Sequence, residues 1–213
     1  MDYGDYRYWP SVMVSEDPSE EPVTLAEAKA HLGIDDTATD AQITAQITAA
    51  REKIERLSGR CITIAREFTA RFAGFTPALL LPMAPVASIT AVKYWPSSGS
   101  EVTVDTAVYF AETDAEPAVL MPVYNAQWPI AEFRPGFPVS VTYEAGYADT
   151  ASVPERWKAA IRLQIERDFW FLPTVAGSAA EGATKARADA LDAAIASYAR
   201  TPIPGGVTIL NGG

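Results

Sequence analysis

The side chains best suited to chemistry are few. The 213-residue sequence holds one histidine, His31, and one cysteine, Cys61. That inventory excludes a two-histidine metal motif, a cysteine-rich zinc site and a disulfide framework. It also leaves little room for a serine or cysteine nucleophile with a histidine base. Gly-x-Ser-x-Gly, His-Glu-x-x-His, Cys-x-x-Cys, a glycine-rich phosphate loop and an EF-hand loop do not occur. A hydrolase of glycosides needs only two carboxylates, and Glu112 with Asp114 is one such pair. Any acidic chain offers such pairs, so a solvated acidic loop is the preferred reading. His31 reads as a helix-surface or interface residue. Cys61 reads as a small buried apolar group. No catalytic, cofactor-binding or metal-binding residue is assigned.

The overall charge narrows the function further. Net charge is −10, and the 22.9 kDa chain is 48% hydrophobic and 21% charged. That is globular composition, of a length for one or two domains. The acidic balance argues against a nucleic-acid grip, which needs clustered Lys and Arg to neutralise phosphates. Residues 72–92 carry no charge, but Gly74, Pro77, Pro82 and Pro85 interrupt any spanning helix. The opening residues are acidic and tyrosine-rich, unlike a basic-then-apolar signal peptide, so a cytosolic product without a cleaved leader is expected.

The elements that must position these residues read as an α+β fold. Residues 1–22 form an arm with six carboxylates against one Arg7, three prolines and no periodicity. Alone in water it should be disordered. Its Tyr3, Tyr6, Tyr8 and Trp9 are rigid aromatics of the kind that anchor interfaces. Thr24-Leu-Ala-Glu27 is a capping box, Leu25, Ala28 and Leu32 share a face, and Gly33 stops the helix. Thr39-Asp-Ala-Gln42 opens a second helix in the same way. Its stripe runs Ile43, Ile47, Ala50, Ile54 and Leu57, with Gly59 as the stop.

From residue 61 the period becomes two. Phe68-x-Ala70-x-Phe72, Val92-x-Tyr94, Val102-x-Val104 and Val139-x-Val141-x-Tyr143 alternate, divided by turns such as Pro96-Ser-Ser-Gly99 and Arg134-Pro-Gly136. This predicts an inserted antiparallel β region over 61–149 of roughly five to seven strands. Ser152-Val-Pro-Glu155 then caps a third helix carrying Trp157, Ile161, Ile165 and Phe169. With 23–60 it makes a small helical bundle of three to four helices. The rings Trp157, Phe169, Trp170 and Phe171 read as core, with Trp170 also able to supply a subunit contact. Residues 173–200 hold a small-residue linker and a weakly capped fourth helix over about 184–199. The tail, 201–213, has no charged residue and a β-prone run, Val207-Thr-Ile-Leu210. Too short to fold alone, it could add as a strand to another chain's sheet edge.

Five stretches bring a family resemblance. Val23-Thr-Leu-Ala-Glu-Ala-Lys-Ala-His-Leu32 and Ala49-Ala-Arg-Glu-Lys-Ile-Glu-Arg-Leu-Ser-Gly-Arg60 resemble the opening of phage head–tail connector proteins, the adaptors that dock on the portal. Leu81-Pro-Met-Ala-Pro-Val-Ala-Ser-Ile-Thr-Ala-Val-Lys-Tyr94 is similar to that family's proline-bracketed strand. Val139-Ser-Val-Thr-Tyr-Glu-Ala-Gly-Tyr147 and Val153-Pro-Glu-Arg-Trp-Lys-Ala-Ala-Ile161 resemble its last strand and returning helix. Gene transfer agents use similar adaptors. The acidic aromatic arm and the aromatic end of the third helix depart from the family's pattern.

The resemblance implies a structural ring between portal and tail, usually twelvefold, assembled in the bacterial cytoplasm and resident in the particle neck. Its partners would be copies of itself, the portal and a downstream neck or tail-terminator protein. DNA would pass through its channel without specific binding, and no membrane is involved. The family's C-terminal segment reaches into the portal, which carries that role onto Val207, Thr208, Ile209 and Leu210. Tyr6, Tyr8, Trp9 and Trp170 are the candidate neighbour contacts. Part of the acidic excess of the β region, or that of the N-terminal arm, would face the channel or its rim, where it repels phosphate. The competing readings are another neck or tail-completion protein, and a standalone β-rich ligand-binding or hydrolytic domain.

Overall fold

The computed structural model describes residues 11–14, 17–170, 189–190, 192–193 and 208–211. The fold is α+β, and the chain divides into two compact units. One is helical, built on Ser19–Ser58 and the segment from Asp149 through the third helix. The other is built on Gly59–Ala148 with the two terminal strands.

In the helical unit α1 spans Leu25–Leu32, α2 Asp40–Ser58 and α3 Glu155–Trp170. Thr24 forms the expected capping box. Its hydroxyl accepts from the Glu27 N–H at 3.2 Å, and the Thr24 N–H donates to Glu27 Oε2 at 2.8 Å. Gly33 closes the helix at φ 71°, a left-handed conformation that favours a residue without a Cβ. Ala28, Leu32, Ile43, Ile47, Ala50, Ile54, Trp157, Ala160, Ile161 and Ile165 are all buried. Each large side chain buried this way contributes about 1.5–3 kcal/mol.

Three local expectations fail in this unit. Leu57 is 52% exposed, although it continues the α2 stripe. Arg51, Glu55 and Ser58 are buried in its stead, because ion pairing makes a charged face tolerable inside. The second capping box does not form, since the Thr39 hydroxyl is buried without a partner. At the third helix the Ser152 N–H donates to Asp149 Oδ1 at 2.7 Å, and the Glu155 carboxylate pairs with Arg162.

The β unit is two sheets around one core. Six strands lie in the order β5-β4-β8-β2-β1-β9, and three in the order β3-β7-β6. The strands are β1 Ser11–Val14, β2 Arg66–Phe72, β3 Leu79–Leu81, β4 Val86–Tyr94 and β5 Val102–Thr103. Next come β6 Tyr109–Glu112, β7 Ala118–Pro122, β8 Val139–Ala145 and β9 Thr208–Asn211. In the β2–β8 ladder Phe68 pairs with Tyr143, Ala70 with Val141 and Phe72 with Val139. All six face inward and are buried with Leu79, Leu81, Ala118 and Leu120 of the smaller sheet. A one-residue slip would turn that whole row to water, which fixes the register.

Each of the two expected arms contributes a short strand. Residues 11–14 are a strand paired antiparallel to β2, with Val12 fully buried. Glu21 is held by Arg51 and Thr48, and Pro22 and Val23 are buried. Apolar burial and ion pairing thus order segments that local composition marks as tail. The pairing of β9 with β1 is parallel, whereas the other strand ladders among the described residues are antiparallel.

Candidate functional site

The described part of the chain offers edges, faces and loops. Among the described residues no cluster of three or more His, Cys, Asp or Glu could hold a metal. Glu112 and Asp114 are exposed. Cys61 is fully buried, its sulfur 3.3 Å from the Thr63 hydroxyl. His31 sits on α1 with Nε2 3.0 Å from Glu166 Oε2 of α3, so it ties two helices together.

An open cavity of about 370 Å³ in the helical unit is lined by Glu20, Glu21, Thr24, Glu27, Thr44 and Lys158 among others. Its perturbed carboxylate is Glu27, held below the ordinary range first by the Thr24 backbone N–H and then by the Thr24 hydroxyl. Those are capping bonds, and they fix Glu27 as an ionised structural group rather than a proton shuttle. On α2, Arg51 is surrounded by Glu21 at 2.9 Å, Glu55 at 3.0 Å and Glu52 at 3.7 Å. Burial pulls the Arg51 pKa down, but Glu55 and Glu21 outweigh it and hold the guanidinium charged.

In the β unit, burial pushes the Tyr143 phenol well up, with Cys61 adding to it. The phenol therefore stays protonated and donates to the Pro82 carbonyl at 2.7 Å. Arg60 holds Glu116 through both terminal guanidinium nitrogens, Nη1 and Nη2.

The six-stranded sheet ends in β9, the tail strand. Thr208 pairs with Ser11, Ile209 with Val12, Leu210 with Met13 and Asn211 with Val14. Tail residues Thr208, Ile209 and Leu210 thus meet a sheet edge in this chain itself. Val207, Tyr6, Tyr8 and Trp9 lie outside the described residues, as does most of the expected fourth helix. Trp170 is exposed, edge-on to Phe169 at 5.3 Å.

The outer face of the six-stranded sheet is polar. Alternation places Glu67 opposite Glu144, Thr69 opposite Thr142 and Arg71 opposite Ser140. The outer face of the smaller sheet is apolar. It shows Leu80, Val119, Met121 and Phe110, with Glu112 at one corner. A loop over 123–138 adds Tyr124 and Ile130, each 93% exposed. Sequence reasoning missed both. Period two names the members of a face but not which face finds a partner.

Comparison with known proteins gives these surfaces a context. The model of the family described as phage gp6-like head–tail connector protein matches residues 22–95, the span that holds α1, α2 and β2 to β4. No curated protein matches the sequence. Solved structures do. A chain in the neck of an empty GTA particle computed with C6 symmetry is 21% identical, with a TM-score of 0.69, over 92% of this chain and 99% of that one. A chain of the virion of a native gene transfer agent (GTA) particle is 21% identical, with a TM-score of 0.68, over 92% and 98%. A chain in the neck of a native GTA particle computed with C12 symmetry is 21% identical, with a TM-score of 0.62, over 92% and 99%. Residues 22–95 therefore carry the sequence pattern of the phage gp6-like head–tail connector family, and the chain as a whole has the fold of chains found in the neck of a gene transfer agent particle.

Proposed function

We propose that this protein is a structural head–tail connector, one subunit of a ring in the neck of a phage or a gene-transfer-agent-like particle. The family match over 22–95 carries the reading, because that span holds both the helical pair α1 and α2 and the strands β2 to β4. Its work is shape and docking rather than bond-making. Glu27, the perturbed carboxylate of the helical-unit cavity, is committed to a helix cap.

The ring lies between the portal and the next neck or tail-terminator protein, and DNA passes through without specific binding. Twelvefold order agrees with the C12 symmetry applied to one matched neck. The uncharged tail, Val207 to Leu210, docks on the portal by backbone pairing. The pairing of Thr208, Ile209 and Leu210 with β1 supports this, since those residues already adopt strand geometry on a sheet edge. Part of the acidic excess of the β region, or that of the N-terminal arm, faces the channel or its rim. A ring with a basic inner wall would overturn that assignment.

Removing the gene tests the function. Electron microscopy of the particles should show filled heads without tails. Normal tailed particles lacking the protein would refute the connector role. Deleting 201–213 should leave far-UV circular dichroism nearly unchanged and stop neck assembly, and normal assembly would refute the tail's docking role.

A further inference from the structure

One edge of the six-stranded sheet is closed by the chain's own tail. β1 pairs antiparallel with β2 on one flank and parallel with β9 on the other. The four residues of β9 match the four of β1 one for one, from Thr208 beside Ser11 to Asn211 beside Val14. Without β9, β1 would be the last strand of that sheet and would present a row of unpaired N–H and C=O groups. Val12 is fully buried within the hydrophobic core, so β1 belongs to the body of the unit.

Three features make this closure weak. The ladder is four residues long. It is parallel, and parallel pairing is slightly less stable per residue than antiparallel pairing. Residues 201–213 carry no charged side chain, so no side-chain salt bridge holds the segment in place. The net gain from a backbone hydrogen bond is comparable to the entropy lost in ordering the residue that makes it. What favours the closed state is the tether: β9 and β1 belong to one chain and meet at a high effective concentration.

We infer that β9 is an intramolecular latch: it occupies β1 in the free subunit, and docking on the portal draws it off. The inference rests on the reading above, in which the same run docks by backbone pairing, and it adds how that docking is regulated. Successive residues of a strand direct their backbone groups to opposite flanks. While β9 lies on β1, half of its groups are therefore already committed. Released, all of them are available to portal strands, and the new bonds replace those to β1. A short, uncharged, parallel ladder is suited to such an exchange, because little is lost when it opens. Until then the latch covers both the tail strand and the β1 edge, which blocks edge-to-edge association of free copies.

The test uses the full chain carrying both Met13→Cys and Leu210→Cys, at positions that stand side by side in the β1–β9 register. The native Cys61 is fully buried. Oxidation of the free double variant should close a disulfide within one chain. Tailless heads from a strain lacking the gene serve as the docking probe. The reduced variant should bind them as wild type does, and the oxidised variant at least tenfold less. Hydrogen exchange in the free wild-type chain should show slowed amides in 208–211, and deleting 201–213 should speed exchange within 11–14 at least tenfold. Equal binding by the two redox forms, disulfides between chains in place of within one, or tail amides that exchange at unstructured rates would each overturn the latch and leave the connector reading standing. Wild-type protein that fails to bind the heads would overturn both.

Discussion

The ion cluster on α2 makes a quantitative prediction. Arg51→Met keeps the aliphatic stem but removes the guanidinium. The Arg51 and Glu55 side chains are each 3% exposed and 3.0 Å apart, so the variant leaves a desolvated carboxylate without that cation. Breaking a buried pair from one side costs about 3–5 kcal/mol. The Glu21 contact adds at most about 1 kcal/mol, because that side chain is 27% exposed and water screens it. The helical unit should therefore lose about 4 kcal/mol, measured by urea unfolding followed by helical circular dichroism. Replacing both partners, Arg51→Met with Glu55→Leu, should recover most of the loss, since apolar packing substitutes well for a buried pair. A loss below about 1 kcal/mol would refute the reasoning, because that is the range of an exposed pair. A double variant as unstable as the single one would refute it too.

Two further outcomes follow from local geometry. Gly146 sits at φ 131°, and a Cβ there would fall 2.7–2.8 Å from Ala65 backbone atoms and the Thr63 carbonyl. Gly146→Ala should thus destabilise the β unit by about 3 kcal/mol, combining backbone strain with overpacking against main chain; a melting temperature equal to wild type would contradict it. Glu27 is held below its ordinary 4.5 by the Thr24 cap. A depressed carboxylate stabilises above its unfolded value, and that contribution is lost as pH falls through the folded value. The stability gap between wild type and Glu27→Gln should be full at neutral pH and shrink below pH 4.5. A gap that stays constant on acidification would show that Glu27 acts by packing instead.

Much of the local structure was legible from spacing. The Thr24 cap, the Gly33 stop and the buried row Ile43, Ile47, Ala50 and Ile54 depend on residues within a turn or two of one another. The inward row Phe68, Ala70 and Phe72 follows from alternation alone. The missed features depend on what lies across from a residue. Leu57 keeps the helical period but is exposed, while Arg51 and Glu55 are inside, paired with each other, and Glu21 reaches Arg51 from before α1. Thr39 has the right type for a cap and makes no such bond.

By itself the sequence determined element types, helix stops and the scarcity of reactive side chains, because these follow from periods of 3.6 and 2 and from composition. Only the tertiary structure decided that residues 11–14 and 208–211 become neighbouring strands of one sheet. The same holds for the strand order and for the sheet face left uncovered. Each of these is a choice among pairings between segments far apart in the chain. Such a choice is set by which apolar and hydrogen-bonding surfaces can be satisfied together, and no local pattern records it.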